Sequence, residues 1–222
     1  MKSLMCPMSP VSNYEPQLDM KKWNDNKFIE TSHNCFAYAI DKIDPEYVKD
    51  CMKEPNCDVG FPQPGYKAGH NRFGEKEKGC GDMVSRLWGD NPKIRASTFY
   101  EKCPYKTSKI ALIVDPKKDY HFLRQDPDGY WSHKPGALSV KRVDASGRPI
   151  VRPDRSLFIY KDKKDPLKYT DFCGYFCVPR GKALHMSKDV QKGGFMNEIG
   201  DELSSLVSTH SLQRYFQTRR LK

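Results

Sequence analysis

A cysteine and two histidines are the residues of this chain whose types and spacing could perform chemistry. Cys35 lies in the sequence HNCFAYAI, residues 33–40, at the predicted first turn of a helix. A helix N-terminus or a neighbouring histidine lowers the pKa of a thiol and favours the nucleophilic thiolate. From the residues alone, Cys35 could also be a metal ligand, half of a disulfide or a packed side chain, because free cysteines are commonly buried.

The two histidines, His121 and His133, stand on either side of a predicted turn with the sequence DPDG at 126–129. The strands of a hairpin lie about 5 Å apart, so side chains on one face can touch across the turn. One histidine could then act as a base toward Cys35 while the other accepts its second ring N–H and fixes the tautomer. The alternative is a pair of ordinary hairpin residues hydrogen-bonded to the backbone.

The elements that would position these residues follow in a simple order. Apolar spacing predicts helices at 34–43, 81–90 and 195–207. Short segments rich in β-branched and aromatic residues predict strands at 93–100, 109–116, 120–126, 129–135 and 171–179, and the segment 138–151 predicts a further strand with a Ser-Gly turn. A helix first, antiparallel strands next and a helix last predict an α+β fold.

The chain divides into three predicted segments. Residues 1–27 contain three prolines and few aliphatic residues, which predicts an extended N-terminal arm with Trp23 as its candidate anchor. Residues 28–180 form the predicted α+β domain, into which a long loop rich in glycine and proline is inserted at 50–80. Residues 181–222 form a predicted helical, basic C-terminal extension.

The sequences HNCFAYAI, YHFLRQDPDGY and WSHKPG occur in the order found in papain-like thiol hydrolases of the NlpC type, which this chain resembles. The resemblance implies that a helix carrying the cysteine packs on an antiparallel sheet, with Cys35 as nucleophile, His121 as base and His133 as orienting residue. It also implies that the backbone N–H of Cys35, with Asn34 or Tyr38, donates to an oxyanion. The implied enzyme is a cysteine peptidase or amidase that works through an acyl-enzyme and needs no cofactor.

The patterns NCxAYA and HxxRQDxDGxWSHKPG also resemble those of poorly characterised proteins from large DNA viruses of algae and amoebae. This second resemblance implies a viral protein located in the virion or the host cytoplasm. Its partners would be other virion proteins or a peptide or amide substrate. The alternative function is therefore a structural, minor capsid or assembly protein that uses the fold without catalysis.

Eight cysteines, at positions 6, 35, 51, 57, 80, 103, 173 and 177, raise the question of their redox state. An intracellular, reduced state is the expectation, with an assembled virus particle as an exception. Six cysteines are disulfide candidates, and bonds among the first four of them would pin the long loop; the six are Cys51, Cys57, Cys80, Cys103, Cys173 and Cys177. Zinc is a competing use, but their spacing departs from the close pairs of structural zinc sites.

The net charge of +10 and the pI of about 9.1 predict an acidic partner. Nucleic acid is not expected as the main partner, because the basic residues are mixed with acids and the sequence has no zinc-finger spacing, RNA-recognition aromatic pattern or helix-turn-helix signature. A membrane span needs about 18 consecutive apolar residues, and no such run occurs. The first residues also lack an apolar signal-peptide core, so neither a span nor a signal peptide is expected.

Overall fold

The structure is a computed structural model of the 222-residue chain and describes residues 8–73, 78–161, 166–181 and 184–192. The helices of these described residues are α1 (Met20–Asn24), α2 (Lys27–Ser32), α3 (Cys35–Ala39), α4 (Pro45–Lys53) and α5 (Cys80–Asp90). The strands are β1 (Arg95–Ser97), β2 (Thr107–Asp115), β3 (Asp119–Gln125), β4 (Trp131–His133), β5 (Ile159–Tyr160), β6 (Leu167–Lys168) and β7 (Asp171–Pro179). A short 3₁₀ turn lies at Pro153–Arg155.

Five strands form one antiparallel sheet in the order β1-β7-β2-β3-β4, and β5 pairs with β6 separately. Strand β2 lies in the middle of the large sheet and is buried along almost its whole length. Its sequence is a nearly continuous apolar run because both faces of the sheet are covered. Short helices beside an antiparallel sheet confirm the predicted α+β class.

Two apolar clusters cover the two faces of the sheet. The first joins α3, α4 and α5 to alternate residues of the central strands, namely Ile110, Leu112, Val114, Tyr120 and Phe122. The second takes the residues between them, namely Ala111, Ile113 and Leu123, with Trp131 and Phe158. Successive side chains of a strand point to opposite faces. Position along β3 therefore decides which cluster a side chain joins.

Helix α3 is shorter than the helix predicted at 34–43. It begins after Asn34, whose side-chain oxygen accepts from the N–H groups of Phe36 and Ala37, both at 3.2 Å. It ends at Ala39, and two residues later Asp41 adopts a left-handed conformation with a φ of 55°. That conformation cannot continue a right-handed helix.

The hairpin of β3 and β4 confirms the strands predicted on either side of the DPDG turn. In the segment 138–151 the predicted Ser-Gly turn is confirmed, because the N–H of Gly147 donates to the Asp144 carbonyl (3.0 Å). The predicted strand is wrong, because this segment contributes only isolated bridges, such as Val143 with Pro149. The carboxylate of Asp144 accepts from the N–H groups of Ser146 and Arg148. This side-chain-to-backbone turn competes with ladder formation and breaks the strand.

The described part of the predicted arm, residues 8–27, packs against the domain rather than extending from it. Trp23 in helix α1 is fully buried, as expected of an anchor. The amide of Gln125 donates to the Ser9 carbonyl (2.7 Å), and the guanidinium of Arg124 donates to the Gln17 carbonyl (3.0 Å). Arg124 itself is fully buried and lies over the ring of Tyr38 at 3.9 Å.

The predicted loop at 50–80 begins inside a helix that the sequence reading missed. Asp44 caps the start of helix α4, since its side chain accepts from the N–H of Glu46 (3.1 Å), and Pro45 lies in the first turn. The helix predicted at 195–207 lies outside the described residues, as does most of the C-terminal extension. The longest of the described helices, α5, has 11 residues, which is too short to span a bilayer.

Candidate functional site

Cys35 is the first residue of α3, as predicted, and its thiol contacts strand β3. The thiol donates to the carbonyl of Tyr120 at 4.0 Å, and the residue is only 4% exposed. Burial raises the pKa of the thiol to about 12, because the apolar surroundings disfavour the charged thiolate. A nucleophilic cysteine has the opposite shift.

The two histidines form a hydrogen-bonded pair. His133 lies opposite Leu123 in the ladder, two positions from His121 on the same face. The Nε2 atom of His121 is 2.7 Å from Nδ1 of His133, and Nε2 of His133 is 3.0 Å from the carbonyl oxygen of Val143. The expectation that the two histidines are neighbours is met.

The chain of hydrogen bonds fixes the tautomers of both rings. The carbonyl of Val143 can only accept, so Nε2 of His133 donates and its Nδ1 accepts. Nε2 of His121 must then donate to that Nδ1, which leaves Nδ1 of His121 without a proton. His121 thus keeps one nitrogen that could act as a base.

Both imidazoles are neutral at pH 7. Burial, with a smaller contribution from the neighbouring His133, holds the pKa of His121 well below its usual value. Burial also lowers the pKa of His133 to about 4. The site therefore consists of a neutral thiol and two neutral imidazoles.

The Cys35 thiol and the histidine pair pack in different apolar clusters, on either side of strand β3. Cys35 packs in the first cluster with Tyr120, the residue before His121. The ring of His121 instead lies 5.5 Å from that of Tyr169, and His133 lies 6.1 Å from the ring of Phe158. These two partners belong to the second cluster or pack against it.

The oxyanion candidates Asn34 and Tyr38 both make hydrogen bonds within the fold. Besides capping α3, the Asn34 amide donates to the carbonyl of Pro62 (2.9 Å) and to the Tyr120 hydroxyl (3.4 Å). The hydroxyl of Tyr38 bonds to that of Ser132 at 2.7 Å. Both side chains therefore stabilise the packing around α3, and an incoming substrate would have to displace those contacts.

Two buried lysines near these elements were missed by the sequence reading. The ammonium of Lys134 donates to the backbone carbonyls of Glu30 and Gly136, the latter at 2.7 Å. That of Lys109 donates to the Ser9 hydroxyl (2.7 Å) and the Phe99 carbonyl (3.1 Å). Burial lowers the pKa of each lysine to about 8. Each lysine joins segments distant in sequence, which no local pattern reveals.

Six cysteines form three disulfides, so the expectation of a reduced state is wrong. The bonded pairs are Cys51–Cys57, Cys80–Cys173 and Cys103–Cys177. All six disulfide candidates are therefore bonded, but only the first pair lies among the four cysteines expected to pin the long loop. Disulfides persist in oxidising compartments, which argues against the expected host cytoplasm. Within the described ranges, no group of three His, Cys, Asp or Glu side chains could hold a metal ion.

Strand β7 supplies a cysteine to each face of the sheet. Residues four apart on a regular strand share a face. The ladder between β2 and β7 shifts register beside Gly174, which has a φ of 133°. Because of this bulge, Cys173 joins the first cluster and bonds to α5, whereas Cys177 bonds to the loop that follows β1.

The chain is similar to a known shell protein. No family model matches the chain, and no solved structure matches it. Insoluble matrix shell protein 1 of Ruditapes philippinarum is 32% identical over 164 residues, which cover 73% of this chain and 90% of that protein.

Proposed function

This chain belongs to the family of insoluble matrix shell protein 1, and from that premise we propose that it is a disulfide-stabilised structural protein of an insoluble extracellular matrix. The observation that carries the proposal is the disulfide framework. Two of its three bonds join β7 to opposite sides of the sheet, and the third closes the end of α4. Such a framework suits a protein that must persist in an oxidising setting.

The surroundings of Cys35 support a structural role. The only free cysteine of the described residues is buried, its thiol pKa is raised, and both oxyanion candidates are hydrogen-bonded within the fold. A neutral, buried thiol contributes to packing as a small apolar side chain. The side chains of Asn34, Cys35 and Tyr38 are then explained by hydrogen bonds that tie α3 to the hairpin.

The charge of the chain indicates which kind of matrix component it would bind. A net charge of +10 favours association with acidic macromolecules. We infer that the partner is an acidic component of the matrix, and that salt weakens the association because surface charges are screened. The virus-particle setting is a finer alternative that rests on the sequence resemblance, whereas the relative, an insoluble matrix shell protein, favours a matrix.

Fractionation of the tissue that produces the protein tests this proposal. The tissue is separated, with thiols blocked from the start, into cytosolic, salt-extractable and insoluble matrix fractions. Peptide mass spectrometry then measures the amount of the chain and the state of each disulfide. The proposal expects the chain in the matrix fractions with three intact disulfides. A chain found in the cytosolic fraction with free thiols would overturn it.

A papain-like thiol hydrolase is the second candidate, and the histidine pair favours it. The hydrogen bond of 2.7 Å leaves Nδ1 of His121 as a potential base beside the strand that the Cys35 thiol contacts. This candidate expects turnover of amide or peptide substrates that disappears in both Cys35→Ala and His121→Ala. Turnover that survives in Cys35→Ala, or is absent from the native chain across a broad substrate panel, would exclude it.

A further inference from the structure

Two tyrosines from distant parts of the chain form a ring pair at the surface. The ring centroids of Tyr14 and Tyr105 are 5.2 Å apart, and the ring planes meet at 78°. Tyr105 is 74% exposed, whereas Tyr14 is half-buried. Desolvation, followed by hydrogen bonding with the phenol of Tyr105, raises the pKa of Tyr14. An oxidant in solution can therefore reach a phenol that already touches another.

Tyr14 is held in place by a tight turn. Its N–H donates to the hydroxyl of Ser12 (3.1 Å), and that hydroxyl donates to a carboxylate oxygen of Glu15 (2.7 Å). Glu15 is buried, and Asn13 at the centre of the turn has a φ of 75°. Ser9, a few residues before Tyr14, accepts a hydrogen bond from the buried ammonium of Lys109. The ring of Tyr14 is thus carried by fixed backbone.

Tyr105 is fixed from its own side of the pair. The disulfide between Cys103 and Cys177 ties its loop to strand β7. The hydroxyl of Thr107 donates to the carbonyl of Pro104 at 2.7 Å, which closes the turn around Tyr105. The Tyr105 side chain is therefore exposed to solvent, while the disulfide and the turn hold its backbone in place.

We propose that the Tyr14–Tyr105 pair is an oxidative coupling site, at which a haem peroxidase with hydrogen peroxide joins the two rings by a carbon–carbon bond. Each phenol loses one electron and one proton, and the two hydrogen atoms reduce one peroxide to two waters. The ring carbons beside the two hydroxyl groups then form the bond. The hydrogen on each of these carbons moves to the phenol oxygen, so both hydroxyl groups are restored.

The held geometry makes this pair react in preference to other tyrosines. Reaction within one chain avoids the loss of translational freedom that coupling between chains requires. The edge-to-face angle is no obstacle, because two rings joined by a single bond can twist about it. The product covalently fastens the N-terminal segment to the loop after β1. This inference rests on the geometry of the ring pair and does not depend on the proposed function.

The test treats the dilute full-length chain with a haem peroxidase and hydrogen peroxide and maps the cross-linked peptides by mass spectrometry. The native chain should remain monomeric, lose the mass of two hydrogen atoms and yield one dominant linked peptide that contains Tyr14 and Tyr105. This peptide should be absent from Tyr14→Phe and from Tyr105→Phe. An unchanged disulfide map in each variant checks that it folds.

Tyr100→Phe is the matched control. Tyr100 is 64% exposed on the same loop, but its hydroxyl accepts a hydrogen bond from Arg152 (3.0 Å) instead of meeting another tyrosine. This variant should give the linked peptide in native yield, and unfolding the native chain in denaturant before oxidation should abolish the preference. The absence of dityrosine from the native chain, or a product spread over several tyrosines, would overturn the proposal.

Discussion

The two disulfides of strand β7 are expected to stabilise the chain more than the Cys51–Cys57 bond, and to depend on each other. Cross-linking stabilises a protein mainly by restricting its unfolded state, and the effect grows with the logarithm of the loop closed. The Cys51–Cys57 bond closes a loop of sequence separation 6. Its removal by Cys51→Ala with Cys57→Ala should lower the free energy of unfolding by about 2 kcal/mol.

The loops closed by the other two disulfides overlap in sequence, so each bond shortens the loop that the other one closes. With Cys103–Cys177 intact, the unfolded chain still connects Cys80 to Cys173 through a path of about 27 residues, because it can cross that bond. Removing Cys80–Cys173 alone should therefore cost about 3.5 kcal/mol. Once Cys103–Cys177 is also absent, the relevant separation becomes 93. The double removal should then cost about 1 kcal/mol more than the sum of the two single removals.

Urea unfolding of the four chains in this cycle, and of the Cys51–Cys57 variant, measures these differences. The slopes with respect to urea must also be compared, because a change would signal a more compact or more open denatured state. The reasoning is refuted if removal of Cys51–Cys57 costs as much as removal of Cys80–Cys173, or if the two large disulfides prove additive.

Two further predictions concern buried polar groups. Burial lowers the pKa of Lys109 to about 8 in the folded chain. Between pH 8 and 10 the unfolded chain therefore binds more protons than the folded chain. The free energy of unfolding should rise with pH in this range. The rise should be smaller in Lys109→Met, as measured by urea unfolding at both ends of that range, and an equal rise would contradict the assignment. Because Ser132 donates to Asp126, the Tyr38 hydroxyl must donate to Ser132. Tyr38→Phe should therefore lose about 1 kcal/mol of stability in thermal or urea unfolding, whereas the exposed Tyr130→Phe should lose almost none.

The hairpin and its histidine pair could be predicted because they are local. The DPDG sequence fixes the turn, and alternation along β3 and β4 places His121 and His133 on one face. The start of α3 could also be predicted, since Asn34 is a favourable N-cap. The early end of α3 could not be predicted, because it depends on the left-handed conformation of Asp41.

Long-range features could not be read from the sequence. The bulge at Gly174 places Cys173 and Cys177 on opposite faces, whereas residues four apart on a regular strand would share one face. The ammonium of Lys109 donates to the Ser9 hydroxyl, which is 100 residues away in the chain, and nothing in its own strand sequence indicates this contact. The sequence predicts an extended N-terminal arm but not where it packs, because its contacts are made by Arg124 and Gln125, far from it in sequence.

The most direct test of a structural role is the reactivity of Cys35 in the native, disulfide-intact chain. Limiting iodoacetamide near pH 6 is followed by peptide mass spectrometry, with the denatured chain as the reference for an accessible thiol. The structure predicts that Cys35 is labelled much more slowly in the native than in the denatured chain, because its thiol is buried and its pKa is raised to about 12. Native labelling faster than the denatured reference, and slowed by His121→Ala, would contradict the structural account and favour the hydrolase.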